Sequence, residues 1–92
     1  MTVALGGRLI CATREEVARL RAHLPDHIRL TRAEPGCLAF HVAPTADPLV
    51  WEVSERFTDR AAFAAHQART ATSPWGAATT GIRRDYTIIG AG

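Results

Sequence analysis

Thr31-Arg32-Ala33-Glu34-Pro35-Gly36-Cys37-Leu38-Ala39-Phe40-His41-Val42 is the stretch on which the rest of the chain turns. Pro35 has no N–H and clashes with a preceding helical turn, so a helix must stop here. Proline also drives the residue before it, Glu34, out of the helical region. Gly36 gives the backbone freedom that a reversal needs. Beyond it Leu38, Phe40 and Val42 recur with period two, the period of a strand. A helix ends, the chain reverses and a strand begins within this one segment.

Upstream, Thr13-Arg14-Glu15-Glu16 forms a capping box. The Thr13 hydroxyl can accept from the Glu16 N–H while the Glu16 carboxylate reaches back to the Thr13 N–H. Val17, Leu20, Leu24 and Ile28 then share one helical face. Arg14, Arg21, Arg29 and Arg32 lie mostly elsewhere, broken up by Glu15, Glu16 and Asp26 as on a solvated surface. Pro25 interrupts this pattern and predicts a kink, or a split into 14–24 and 26–33. The apolar stripe continues across it, which favours the kink. Before the helix, Val3, Leu5, Leu9 and Cys11 share one parity and predict a strand over 2–12. Gly6-Gly7 predicts a bulge in it, with close approach to a ligand as the alternative.

Downstream, strands over 37–43 and 49–57 flank the turn Pro44-Thr45-Ala46-Asp47-Pro48 and predict a hairpin. Leu49, Trp51, Val53, Glu55 and Phe57 share one face, apolar except for Glu55. Val50, Glu52, Ser54 and Arg56 share the other. Asp59 caps an Ala-rich helix over 60–69 with Ala62, Phe63 and His66 on its inner stripe. Residues 70–73 break it. Ser73-Pro74 opens a short helix to Thr80, which Gly81 ends. A last strand covers 82–89 and residues 90–92 read as a loose tail. The order β-α-β-β-α-(α)-β is the ferredoxin-like split βαβ arrangement, an α+β fold with a four-stranded antiparallel sheet. Apolar residues fall on both strand parities, with Leu38, Phe40 and Val42 set against Val50 and Val53. An uncovered apolar face would be an exposed patch, so a homodimer through the open sheet face is expected.

With 92 residues the chain suits one domain, 1–92, near the size at which a partner subunit helps. An apolar content of 47% excludes disorder, and a net charge of +2 gives no case for nucleic acid. All 11 Lys-plus-Arg residues are arginine and asparagine is absent, a pattern that GC-rich coding explains better than anion binding. Cys11 and Cys37 lack metal-ligand spacing, so no metal is expected and both read as buried free thiols in a reduced cytosol. No apolar run approaches the ~18 residues that span a bilayer. No signal peptide is visible. The expectation is a cytoplasmic protein with no membrane association.

Two blocks carry a resemblance. Glu34-Pro35-Gly36-Cys37-Leu38 and Ser54-Glu55-Arg56-Phe57-Thr58-Asp59-Arg60-Ala61-Ala62-Phe63-Ala64-Ala65-His66 are similar in residue type and spacing to the antibiotic biosynthesis monooxygenase (ABM) domain family. The resemblance extends from the first strand to Tyr86. It implies a dimeric α+β barrel with a pocket between helices and sheet in each subunit. The activities it implies include cofactor-independent oxygenation of aromatic polyketides, quinol oxidation and haem degradation. The haem-degrading branch uses an Asn on strand one, a Trp on helix two and a His on the following helix. Gly7, His66 and roughly Thr79 stand there, so haem is not expected. The actinorhodin-type monooxygenase uses an Asn and a Trp on strand three, where this chain has Val53 and Phe57.

A cofactor-free oxygenase needs an electron-rich phenol or quinol as its own reductant, a base to ionise it and an apolar pocket. His66 is the first candidate base, because imidazole titrates near neutral pH. Glu55 is the second, since a carboxylate on an apolar face can have a raised pKa. Trp51, Val53, Phe57, Phe63 and Trp75 could wall a flat aromatic substrate. The plainer readings are a core histidine, a Glu55 paired with Arg56 or Arg84, and aromatics that only pack. His23, His27 and His41 have no supporting constellation. The leading expectation is a cofactor-independent monooxygenase of a phenol or quinol. A non-catalytic dimer binding a small apolar molecule, and isomerase or decarboxylase chemistry on the same scaffold, are the rivals.

Overall fold

The computed structural model describes residues 1–90; the last two residues of the expected tail lie outside the described residues. The elements are β1 (Val3–Ile10), α1 (Arg14–Arg32), β2 (Cys37–Pro44), β3 (Val50–Phe57), α2 (Arg60–Ala71), α3 (Pro74–Ala78) and β4 (Arg83–Ile89). The strands form one antiparallel sheet in the order β2-β3-β1-β4. This is the ferredoxin-like arrangement, with the helices packed on one face.

α1 is a single helix that runs through Pro25. Thr13 Oγ1 accepts from the Glu16 N–H at 3.2 Å. Glu16 Oε1 accepts from Ala12 N–H at 2.6 Å, one residue earlier than the reciprocal bond expected. The buried stripe is Leu20, Leu24, His27 and Thr31, with the partly buried Val17 and Ile28 packed against the same core. α3 ends at Ala78, where Thr79 caps it by donating its hydroxyl to Trp75 O at 2.8 Å. Gly81 lies beyond, in the turn to β4.

The bulge falls in β2, not at Gly6-Gly7. β1 pairs without interruption to both β3 and β4, whereas β2 slips against β3 between Cys37 and Ala39. Gly7, at φ 154, instead lets the β4 backbone close in, since a Cβ there would collide with the Asp85 carbonyl oxygen. The β2 bulge takes Leu38 out of the alternation, leaving it 53% exposed while Phe40 is buried.

This register corrects the reading of the two faces. Phe40 stands opposite Glu55 and Val42 opposite Val53, so all of these turn toward the helices. The core is built from Leu5, Leu9, Val53 and Phe57 of the sheet against Leu20, Leu24, Phe63 and Trp75 of the helices. The open face carries mainly small and polar residues, among them Ala4, Gly6, Arg8, His41, Ser54 and Arg56. It is not the apolar surface that two-sided alternation suggested.

The turn after α1 ties the sheet to α2. Thr58 N–H donates to Gly36 O at 2.9 Å. A Cβ on Gly36 would run into the Ala62 side chain, so glycine is what allows α2 to pack this close. The two sequence blocks that carry the resemblance thus meet in one junction.

Candidate functional site

That junction places Glu34, His66 and Glu55 in a line. Glu34 follows α1, His66 comes from the inner face of α2, and Glu55 from the helix-facing side of β3. His66 Nδ1 lies 2.8 Å from Glu34 Oε1, and His66 Nε2 lies 3.6 Å from Glu55 Oε1. The His66 side chain is 2% exposed and that of Glu55 is 8% exposed. Arg69, one turn along α2, donates from Nη2 to Glu34 Oε1 at 3.3 Å and to Thr31 Oγ1 at 2.9 Å.

Burial lowers the His66 pKa, the hydrogen bond and charge of Glu34 oppose this, and Arg69 reinforces it; the net direction is down. His66 is therefore neutral at pH 7. Its bond to a carboxylate assigns the single proton to Nδ1 and leaves the Nε2 lone pair facing Glu55. Glu55 is pushed up to about 7, chiefly by burial and then by the charge of Glu34. Its Oε1 has no hydrogen-bond partner among the described residues. At 3.6 Å the Glu55–His66 contact is longer than a hydrogen bond, and a few tenths of an ångström of closure would make it one. The result is a carboxylate–imidazole–carboxyl chain that can take up or release a proton near neutral pH.

His27 joins this site, contrary to the sequence reading that left it without a constellation. It is 4% exposed. Its ring stacks on Trp75 at 4.6 Å and 2°, and its centroid is 6.0 Å from that of His66. Burial, then His66, Arg69 and Arg84, lower its pKa to about 3, so it too is neutral.

An inner cavity of about 50 Å³ is bounded by His27, Phe40, Val53, Glu55, His66 and Trp75. An outer recess of about 380 Å³ between α2 and α3 shares Gln67, Thr70 and Arg84 with it. Of the residues expected at the site, Val53, Glu55, His66 and Trp75 border the inner cavity. Phe57 lies 4.8 Å from the His66 ring and Phe63 lies 5.6 Å from Phe57, and neither borders the inner cavity. Trp51 is elsewhere, with the Arg21 guanidinium 5.4 Å above its ring. A broader concavity, about 870 Å³, lies on the open face of the sheet; Glu55 and Val53 border it too, but neither His27 nor His66 does. Among the described residues no cluster of three His, Cys, Asp or Glu is placed to hold a metal, and no helix is long and apolar enough to cross a membrane.

Glu34, His27 and Arg69 are the residues that sequence reading missed. Glu34 looked like part of a turn. His27 did carry a signal, three residues after Leu24 on the buried stripe.

Fold and site define a class: a small ferredoxin-like α+β domain with a buried acid–imidazole chain beneath its helices. Residues 8–75 match the antibiotic biosynthesis monooxygenase family, and the protein belongs to it. Solved structures agree on the fold. Rv0793 from Mycobacterium tuberculosis is 23% identical with a TM-score of 0.76, over 97% of this chain and 93% of its own. A Nitrosomonas europaea protein provisionally assigned as an antibiotic biosynthesis monooxygenase is 21% identical, with a TM-score of 0.80 and coverage of 98% and 97%. SnoaB from Streptomyces nogalater, a cofactor-independent oxygenase, is 14% identical, with a TM-score of 0.77 and coverage of 96% and 90%. Among curated proteins none matches the chain.

Proposed function

We propose that the protein is a cofactor-independent monooxygenase of an aromatic phenol or quinol, with Glu55 and His66 as its proton-transfer pair. The observation that carries this reading is the Glu34–His66–Glu55 line, with Nε2 of a neutral imidazole facing a carboxyl that titrates near 7. A base poised at the working pH is what phenol ionisation needs. The balanced reaction converts a ring C–H of a phenol to a quinone carbonyl. One oxygen atom enters the ring, and the other leaves as water with the ring hydrogen and the phenolic hydrogen. The base takes the phenolic proton, the electron-rich phenolate reduces dioxygen, and the same base returns a proton to the departing oxygen.

The outer recess, about 380 Å³, lies within the ~300–1,000 Å³ range of ligand sites. In this reading the ring rests there and its oxygen-bearing edge enters the inner cavity beside Val53 and Trp75. Phe57 packs against the His66 ring and Phe63 backs Phe57. A homodimer through the open sheet face belongs to the same proposal. Its support is the broad concavity on that face and the exposed Ile89 that borders it.

The small inner cavity favours a second reading, a non-catalytic dimer that binds a small molecule in the outer recess alone. Oxygen uptake separates the two. With electron-rich phenols and quinols, the enzyme reading expects equimolar consumption of oxygen and substrate, with kcat/KM rising through a midpoint near pH 7, the Glu55 value. Binding without uptake across such a panel would instead support the second reading.

A further inference from the structure

Polar atoms that are buried without a partner call for an explanation. Among the described residues, three such atoms belong to residues bordering the inner cavity: His27 Nδ1, Glu55 Oε1 and Thr70 Oγ1. They come from three different elements, α1, β3 and α2. Thr70 also borders the outer recess, so the three mark a path from that recess to the buried acid. His27 cannot turn aside to satisfy itself. It is fixed face-on against Trp75 at 4.6 Å and edge-on against Phe40 at 5.2 Å. Leaving such groups unpaired costs free energy that a ligand oxygen would recover. A mono-oxygenated ring could serve Glu55 or His27, and would leave the other unpaired.

We infer that His27 is a second polar anchor, so that the site selects aromatic ligands bearing two neighbouring oxygens on one edge, one held by Glu55 and one by His27. Catechols, hydroquinone-like fused rings with adjacent oxygens and ortho-hydroxyketones are of this kind. Glu55 receives the proton of one oxygen, while the neutral His27 ring donates from Nδ1 to the other. Thr70 lies at the entrance, where its hydroxyl can hold the same edge as it passes inward. The inference rests on the proposed pocket but not on turnover in it.

The test is therefore one of binding without oxygen. Catechol and phenol are titrated anaerobically into ¹⁵N-histidine-labelled protein, and imidazole nitrogen shifts and dissociation constants are read by NMR. Catechol is expected to bind about tenfold more tightly than phenol, the order of effect for one satisfied buried hydrogen bond. Catechol is also expected to move the His27 Nδ1 resonance. In His27→Phe, which keeps a flat ring against Trp75, the preference should fall below about threefold, and His27→Gln should recover part of it. Equal binding of the two probes, binding of neither, or a full preference retained in folded His27→Phe would overturn the inference. If His27→Phe does not fold, an unmoved His27 resonance on catechol addition to the native protein overturns it equally. Oxygen uptake plays no part in the readout, so a binding preference without turnover would defeat only the enzyme reading. Turnover with indifferent binding would defeat only this one.

Discussion

Glu55→Gln is expected to lower kcat for a phenolic substrate by roughly 10²–10⁴, the usual contribution of a positioned base. The same change should leave the protein no less stable at pH 7. Glu55 has a folded pKa of about 7 against an ordinary 4.5, so it holds its proton more tightly when folded. Its contribution to stability is complete below pH 4.5 and is lost as pH rises through about 7. The loss amounts to about 3 kcal/mol if the whole shift is expressed. Glutamine cannot ionise and does not suffer it. The stability of Glu55→Gln relative to the native protein should therefore grow from pH 4.5 to 7 and level off above. His27 acts in the opposite sense: its favourable contribution is present above 6.5 and is lost toward 3. It is common to both proteins and cancels in the difference. Denaturant melts of the pair at several pH values, with initial rates on the same preparations, give both answers. A constant stability difference, or undiminished turnover, would remove Glu55 from the role of base.

His66→Ala has the second large effect, and here stability and activity should fall together. The ring is almost wholly buried among Phe57, Phe40 and His27 and carries the 2.8 Å contact to Glu34. Its removal leaves a cavity, at a cost of roughly 1–3 kcal/mol, while Glu34 keeps Arg69 as a partner. Loss of the imidazole should also lower kcat by about 10²–10⁴. A lowered thermal midpoint with unchanged turnover would make His66 a packing residue and nothing more. Glu34 is a positioning residue in this scheme. Glu34→Gln should change the pH profile of kcat/KM, because an amide no longer fixes the imidazole proton on Nδ1.

The fold was legible because its signals are local. Pro35-Gly36, the Thr13, Asp59 and Ser73 caps and the alternation from Trp51 to Phe57 each fix a short piece of backbone, and all agree with one topology. The bulge was misplaced because a glycine pair signals freedom without saying which strand uses it. Leu38 then broke an alternation that looked regular, and the open face was judged too apolar. His66 and Glu55 could be singled out as a titratable pair on inward faces. Glu34 could not, because its partner is 32 residues away along the chain and a turn glutamate has no periodicity to betray it. His27 was passed over for a related reason. Its helical position was visible, but its stack on Trp75 depends on where α3 sits, and nothing local encodes that.

The most direct test of the proton chain is an NMR titration of the native protein, with the Glu55 side-chain carboxyl followed by ¹³C and the His66 ring by ¹⁵N. Glu55 should titrate near 7, with His66 remaining a neutral ring protonated at Nδ1 through neutral pH. A Glu55 midpoint near the ordinary 4.5, or a His66 that is imidazolium at pH 7, would contradict it.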